Sequence, residues 1–104
     1  MGGTMILRVF RARVQPGKQA EFEIKVGQHS IPLARKQRGL VHLYAGRPVA
    51  ATPDEFAIIT IWRSLDDLKA FAGGNWNQSI IPDAERPLLD TTSVHHYEIF
   101  GEDD

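Results

Sequence analysis

The sequence contains no cysteine, and none of its apolar runs approaches the ~18 residues that a membrane-spanning helix needs. The lack of cysteine excludes a disulfide framework, a thiolate metal site, an iron–sulfur cluster and a cysteine nucleophile. No Gly-x-Ser-x-Gly segment of the kind used by hydrolases is present either. These absences predict a cytoplasmic protein that has no membrane contact and no metal centre built on thiolates.

An excess of charge of one sign is also missing, because the net charge is only −1. Residues 1–52 hold nine Lys and Arg against two Asp and Glu, whereas residues 53–104 hold three against eleven. Much of this asymmetry has a local explanation, since Arg35, Lys36 and Arg38 end one predicted helix and Asp66 and Asp67 begin another, where each sign complements the helix dipole. We therefore do not expect a nucleic-acid partner.

The length of 104 residues is that of one domain. We expect this domain to span residues 5–100, preceded at 1–4 by a disordered start or a cloning remnant and followed at 101–104 by an acidic tail. A chain of this size supports a two-layer core but leaves little room for a deep cavity of its own. We therefore expect residues of a second subunit to form part of the wall of any sizeable pocket.

Alternating apolar and β-branched residues predict strands at 5–14, 40–46, 55–62 and 93–100. A first helical segment begins near Lys18 with an apolar stripe of Phe22, Val26, His29 and Leu33, and Pro32 inside it predicts a kink or two short helices. A second helix follows a capping residue, Ser64, and ends at residues 73–74. Residues 75–92 are expected to form a long loop with one or two helical turns.

This order of elements predicts an α+β domain of the ferredoxin-like βαββαβ plan, with an antiparallel sheet and both helices on one face. Three of the four strands nevertheless carry apolar side chains on both faces. The uncovered face therefore predicts association with a second copy of the chain as a homodimer.

Several segments resemble the antibiotic biosynthesis monooxygenase (ABM) family: VQPGK at 14–18, RGLV at 38–41, WRSLDDLKAFAG at 62–73 and HYE at 96–98. The resemblance covers residues 5–100 and implies a dimeric α+β barrel. It also implies functions found in the family, which includes cofactor-free oxygenases of quinols and anthrones, heme-degrading enzymes and proteins of unknown activity.

The polar site residues of two branches of that family are absent. The Asn, Trp and His of the heme-degrading branch fall at Phe10, Phe71 and Ile81. Without that His there is no axial ligand for iron. The polyketide-oxidising branch has an Asn, a Trp and a Tyr, which here become Ile58, Trp62 and Leu68. The resemblance thus favours an uncharacterised branch.

Cofactor-free oxygenation needs a base, an apolar pocket for an electron-rich ring and a donor for the developing oxyanion. The candidate bases are His96 and His42, because histidine alone titrates unaided near neutral pH. Arg8 and Arg11, on opposite faces of the first strand, are candidates to anchor an anionic substrate or to pair with surface carboxylates. The candidate pocket walls are Trp62, Phe56, Tyr44, Phe71 and Trp76.

Each candidate also has a purely structural interpretation. His96 and His42 belong to strands at opposite edges of a ferredoxin-like sheet, so they meet only if a dimer brings the two chains' edges together. His95 and His96 point to opposite faces, which argues against a metal-binding pair. Trp62 equally suits the core, and Trp76 is either a lid or a cover for Ile80 and Ile81.

The sequence therefore leads to the hypothesis of a monooxygenase, without cofactor or metal, that oxidises a small aromatic such as a hydroquinone or an anthrone with molecular oxygen. The alternative hypothesis is a non-catalytic dimer that binds a small ligand or serves as an interaction module. A different, non-redox enzyme on the same fold is a third interpretation, because the fold alone does not fix the reaction.

Overall fold

The computed structural model describes residues 4–51 and 53–103. The expectations for the start of the chain and for the acidic tail fall partly on residues 1–3 and 104, which lie outside the described residues. No helix in the described part is long and apolar enough to cross a membrane. The elements are β1 (Ile6–Val14), α1 (Gln19–Lys25), a π turn (Val26–Ser30), α2 (Ile31–Arg35), β2 (Leu40–Gly46), β3 (Glu55–Trp62), α3 (Leu65–Ala72), 3₁₀ turns at Gly73–Asn75 and Arg86–Leu88, and β4 (Leu89–Glu98).

The four strands form one antiparallel sheet in the order β2-β3-β1-β4. In the middle of the sheet, Arg8 of β1 lies opposite Thr60 of β3 on one side and His96 of β4 on the other. The α+β ferredoxin-like fold predicted from the sequence is thus confirmed. His42 and His96 lie on the two edge strands, as expected.

Strand alternation directs the even-numbered residues of β1 and β3 toward the helices. They form two buried clusters. One joins Ala12, Val14 and Phe56 to Phe22 of α1, and the other joins Ile6 and Trp62 to Leu68 of α3. The two clusters lie toward opposite ends of the strands, and Arg8 and Thr60 occupy the space between them.

The last strand begins earlier than the sequence predicts. It starts at Leu89 rather than at residue 93, because β1 offers a pairing partner along its whole length, with Val14 opposite Leu89 beyond a bulge. Thr91 and Thr92, which suit a strand, take part in this pairing. The predicted loop at 75–92 is therefore shorter and ends in the 3₁₀ turn at Arg86–Leu88.

The kink predicted at Pro32 is present as a π turn, in which the Ile31 N–H donates to the Val26 carbonyl five residues back. The wider turn adds a residue and rotates the following chain by about the angle of one helical residue. The predicted apolar stripe is therefore wrong beyond Val26. His29 is exposed, Leu33 is 43% exposed, and Ala34 takes the buried position at 4%.

The second predicted helix is confirmed as α3. The Ser64 hydroxyl accepts a hydrogen bond from the Asp67 N–H at 3.1 Å, which caps the first turn. The helix ends at Gly73, whose φ of +79° is the left-handed backbone that glycine adopts without strain. The Arg63 N–H donates to the Gly39 carbonyl at 2.8 Å and brings the start of β2 against α3.

Candidate active site

A cavity of about 60 Å³ lies between the middle of the sheet and the helical layer. Apolar side chains form most of its wall, and four polar residues break that surface: Arg8, Thr60, Ser30 and Glu85. Arg8 and Thr60 reach the cavity because they occupy helix-facing positions of β1 and β3, and Ser30 reaches it as the last residue of the π turn. The remaining lining residues are Phe10, Leu33, Ala34, Leu43, Ile58, Phe71, Ile80 and Pro82.

The guanidinium of Arg8 is buried, with 5% of the residue exposed. Its Nη1 donates to the Trp76 carbonyl at 2.7 Å, and its Nη2 donates to the Gln78 carbonyl at 3.1 Å. Burial lowers the pKa of Arg8 from its ordinary value. None of the ion pairs in the described residues includes Arg8, and its hydrogen-bond partners are neutral oxygen and nitrogen atoms.

His96 lies beside Arg8 on the neighbouring strand and accepts a hydrogen bond at its Nε2 from the Arg8 Nη1, at 2.8 Å. Arginine can only donate, so Nε2 is the acceptor nitrogen and Nδ1 carries the proton of the neutral ring. Burial, followed by the charge of Arg8 and that of His95, lowers the pKa of His96. The lone pair that a general base would use is therefore engaged by the arginine.

Two aromatic residues predicted as pocket walls pack as a pair. Trp62 is fully buried, its ring lies 4.9 Å from that of Phe71, and its Nε1 donates to the Thr60 hydroxyl at 2.8 Å. Phe71 and Thr60 line the cavity, whereas Trp62 lies behind them. Trp62 therefore supports the wall from the core side.

A sequence model of the antibiotic biosynthesis monooxygenase family matches residues 5–75. The chain belongs to this family. Comparison with curated proteins finds no match.

Solved structures share the fold of this ABM protein at low sequence identity. SnoaB, a cofactor-independent oxygenase from Streptomyces nogalater, superimposes with a TM-score of 0.75 at 21% identity, over 96% of this chain and 97% of its own. A heme-degrading protein from Mycobacterium tuberculosis, in its heme-free form, gives 0.71 at 17% identity over 98% of each chain. The protein SO0527 from Shewanella oneidensis gives 0.75 at 14% identity, over 92% of this chain and 91% of its own.

The cavity of this ABM protein does not fit heme. None of the described residues that line it is a histidine, cysteine, methionine or tyrosine that could serve as an axial ligand. Nor do the described residues hold a group of three or more His, Cys, Asp and Glu side chains placed to bind a metal ion.

Trp76 covers one end of the Arg8 and His96 pair. Its ring meets that of His96 edge to face at 5.1 Å, and the Lys69 ammonium lies 5.4 Å from its centre. The ring also packs against the buried cluster around Trp62. The side chain and the backbone carbonyl of this residue thus enclose the arginine together.

The other predicted site residues of the ABM chain lie away from the cavity. His42 and Tyr44 stack at 6.1 Å on the sheet face opposite the helices. Arg11 lies on that same face and pairs with Glu55 at 3.7 Å. The structure therefore does not bring His42 near His96 within one chain.

Phe56 lines a second cavity, of about 510 Å³, which lies between the first helical segment and the ends of β2 and β3. Its wall is mainly apolar, and Glu23 and Arg47, which form an ion pair, lie on it. Phe56 packs edge to face on Phe22, with the ring centres 5.0 Å apart. It therefore forms part of the core that borders this second cavity.

Sequence reasoning missed Glu85 and Ser30. Glu85 is only 2% exposed, and its Oε2 accepts a hydrogen bond from the Ser30 hydroxyl at 2.7 Å. The available signal was weak, because Glu85 is one of two acidic residues between the apolar pairs Ile80-Ile81 and Leu88-Leu89, in a loop too rich in proline for a regular helix. The contact joins residues 55 positions apart, which no local pattern reveals.

Proposed function

We propose that this ABM protein is a cofactor-independent monooxygenase that oxidises a small aromatic substrate, such as an anthrone or a hydroquinone, with molecular oxygen. The observation that carries the proposal is an apolar cavity holding the buried guanidinium of Arg8, which forms no ion pair with a carboxylate of residues 4–51 and 53–103. Membership of the family supports monooxygenase chemistry. The likeness to SnoaB adds support at the level of the fold.

An electron-rich aromatic reduces oxygen itself once it has become an anion. For an anthrone, loss of a methylene proton leaves the electron pair on carbon and on the conjugated oxygen. The anion passes one electron to oxygen, and the two radicals combine as a carbon-bound peroxide. Loss of the second methylene proton with cleavage of the O–O bond gives a carbonyl. One oxygen atom stays in the product and the other leaves as water.

Arg8 is the group that stabilises the anion in this scheme. A cation in a low-dielectric cavity favours the charged form of a bound phenol or enol far more than water does. Because Trp76, Gln78 and His96 already hold the guanidinium in place, it needs little reorganisation when the anion forms. Aromatic and aliphatic walls suit both a ring and molecular oxygen.

The space available limits how a ring can enter. Pockets that enclose small molecules usually measure about 300–1,000 Å³, well above the 60 Å³ of this cavity. Ile80 and Pro82 form its wall on the side of the loop that follows α3. We propose that this loop moves outward when a substrate binds.

We also propose that the chain forms a homodimer through the sheet face opposite the helices. Two rows of residues cross this face, one being Tyr44, Ile59, Val9 and His95 and the other His42, Ile61, Leu7 and Tyr97. Tyr44 is 58% and Tyr97 49% exposed. A second sheet of the same kind would cover these rows, and ABM family proteins are commonly dimeric.

Oxygen uptake tests the proposed reaction. Purified, metal-free protein is mixed with anthrones, hydroquinones and naphthols. We expect one molecule of oxygen to be consumed per molecule of product, without release of hydrogen peroxide. Isotopically labelled oxygen gas should place one labelled atom in the product. Arg8→Gln should lower kcat/KM by about 100-fold or more. Arg13→Gln, a control on an exposed position of the same strand, should leave it unchanged.

A folded wild-type protein that consumes no oxygen with any member of the panel contradicts the proposal. Equal values of kcat/KM for Arg8→Gln and Arg13→Gln would contradict it as well. Circular dichroism establishes that each variant is folded before its rate is compared. Arg8→Lys retains the positive charge and should recover part of the rate.

The second candidate function is ligand binding without chemistry. It is favoured by the apolar residues Phe10, Ile58 and Ile81 at positions where branches of the family carry polar site residues. Quenching of the Trp76 fluorescence by a naphthol, in a protein that consumes no oxygen, would support this function in place of the oxygenase.

A further inference from the structure

Glu85 is a buried carboxylate that the scheme above does not use. It belongs to the loop before β4, yet its side chain lines the same cavity as Arg8 of β1. The loop turns back on itself to place it there, because the Glu85 N–H donates to the Pro82 carbonyl at 2.9 Å and the Leu88 N–H to the Glu85 carbonyl at 3.0 Å. A carboxylate is costly to bury unless it has partners or a function.

The partners of Glu85 satisfy its charge only in part. The Ser30 hydroxyl donates to Oε2, and no ion pair of the described residues includes this carboxylate. Burial raises the pKa of Glu85, while the hydrogen bond from Ser30 and the charge of His29 act in the opposite direction. The carboxylate is therefore a stronger base than an exposed glutamate.

No other described residue that lines the cavity offers a comparable proton acceptor. Apart from Arg8 and Glu85, the polar lining groups are the hydroxyls of Ser30 and Thr60. The Nε2 lone pair of His96 is engaged by Arg8, and His42 lies on the other face of the sheet. The cavity thus presents one cation and one carboxylate that do not pair with each other.

We propose that Glu85 is the general base that takes the proton from the substrate, while Arg8 faces the oxygen on which the negative charge develops. The substrate is then a carbon or oxygen acid, such as an anthrone or a phenol, bound between the two groups. The C–H or O–H bond breaks, its electron pair stays with the substrate, and the proton moves to the Glu85 carboxylate. Ser30 holds one carboxylate oxygen, which leaves the other for the proton. This role rests on the proposed oxygenase function.

Proton abstraction can be measured without the reaction with oxygen. Anthrone is incubated with the protein in deuterated buffer under nitrogen, and loss of its methylene signal is followed by proton NMR. Wild-type protein should exchange this proton faster than buffer alone. Glu85→Gln should lose about 100-fold or more of the catalysed exchange, which is the usual contribution of a general base.

Ser30→Ala distinguishes a catalytic role of Glu85 from a purely structural one, in which its contact with Ser30 only holds the loop in place. Glu85→Gln keeps an acceptor for the Ser30 hydroxyl, so the loop stays attached, whereas Ser30→Ala removes the attachment and keeps the carboxylate. The hydrogen bond from Ser30 lowers the pKa of Glu85, so its removal should raise that pKa. Since the base works only when deprotonated, the acid limb of the exchange rate should move to higher pH in Ser30→Ala.

The charged groups around Glu85 are His29 of the π turn, Arg8 across the cavity, and Arg86 with Asp83 in its own loop. His29→Gln is therefore a second, independent test of the shift in the acid limb. It should move the acid limb upward as well, because the charge of His29 also lowers the pKa of Glu85.

The outcomes distinguish the two proposals. Exchange that depends on Glu85, with no oxygen uptake, supports the base and contradicts the oxygenase. Wild-type exchange at the buffer rate, or equal exchange by wild type and Glu85→Gln, overturns the role of Glu85 whether or not oxygen is consumed. An acid limb that stays in place in Ser30→Ala overturns it too.

Discussion

The hydrogen bond between Arg8 and His96 fixes the protonation state of a histidine beside the cavity. A positively charged imidazole there would place two cations within hydrogen-bond distance of each other. The neutral ring instead accepts the arginine proton and holds the guanidinium toward the cavity. His96 therefore acts on the site through Arg8.

This arrangement predicts how stability depends on pH. Because burial lowers the pKa of His96 below its ordinary 6.5, the unfolded chain binds more protons than the folded one just below that pH. The unfolding free energy of wild type should therefore fall, relative to that of His96→Gln, as the pH drops below about 6.5. Urea unfolding of both proteins between about pH 7.5 and about pH 5.5 measures this difference.

The opposite effect of Glu85, whose pKa is raised, is present in both proteins and cancels in the comparison. If the unfolding free energy of wild type, relative to that of His96→Gln, stays constant or grows as the pH falls, the assignment of a neutral His96 is contradicted.

The position of Trp62 predicts a loss of stability rather than of substrate affinity. Trp62→Phe removes the donor to the Thr60 hydroxyl and leaves a gap in the core, at a cost of about 1–3 kcal/mol. KM should change little, because Phe71 and Thr60 form the wall at that point. Urea unfolding and steady-state kinetics test this together. A raised KM with unchanged stability would make Trp62 a substrate contact.

Sequence reasoning found Arg8 and missed Glu85 for a physical reason. Arg8 interrupts an apolar strand, so alternation alone brings it to notice and assigns it a face. Glu85 lies in a loop without periodicity, and its burial results from a contact with Ser30 that only the tertiary fold creates. A charged residue in such a loop looks the same in sequence whether it faces solvent or a cavity.

Among the elements, strands were easier to predict than the first helix. Alternation fixes both the extent and the faces of β2 and β3, whose bounds match the prediction. A helical period assumes a constant angle between residues, and one π turn is enough to exchange Leu33 for Ala34 on the buried side. The cause, Pro32, was visible, but the number of residues that the turn would absorb was not.

The approach of β2 to α3 predicts that Gly39 tolerates no side chain. A Cβ at this position would overlap the Asp67 side chain, including its Cβ, so a rotamer change of Asp67 cannot relieve the clash. Gly39→Ala should destabilise the fold by about 1–3 kcal/mol. The double variant with Asp67→Gly should recover part of this loss in chemical unfolding. Additive effects of the two substitutions would contradict the close contact.

For the whole molecule, the face of the sheet opposite the helices predicts the oligomeric state. Sedimentation at micromolar concentration should give about twice the 11.7 kDa of one chain. Ile59→Asp places a charge in the middle of this face and should weaken association by about 100-fold or more. Ile24→Asp is the control, since Ile24 is 59% exposed on α1. A monomeric wild type, or equal masses for the two variants, would contradict the dimer.

The contacts of Arg8 with the Trp76 and Gln78 carbonyls determine which part of the loop after α3 would move when a substrate enters the cavity. Together with His96, these carbonyls use three of the five N–H groups of the guanidinium. The remaining N–H groups can bind the oxygen on which charge develops while the loop stays attached at Trp76 and Gln78. Only the later part of the loop, which carries Ile80 and Pro82, would then have to move outward for a ring to enter and for the product to leave.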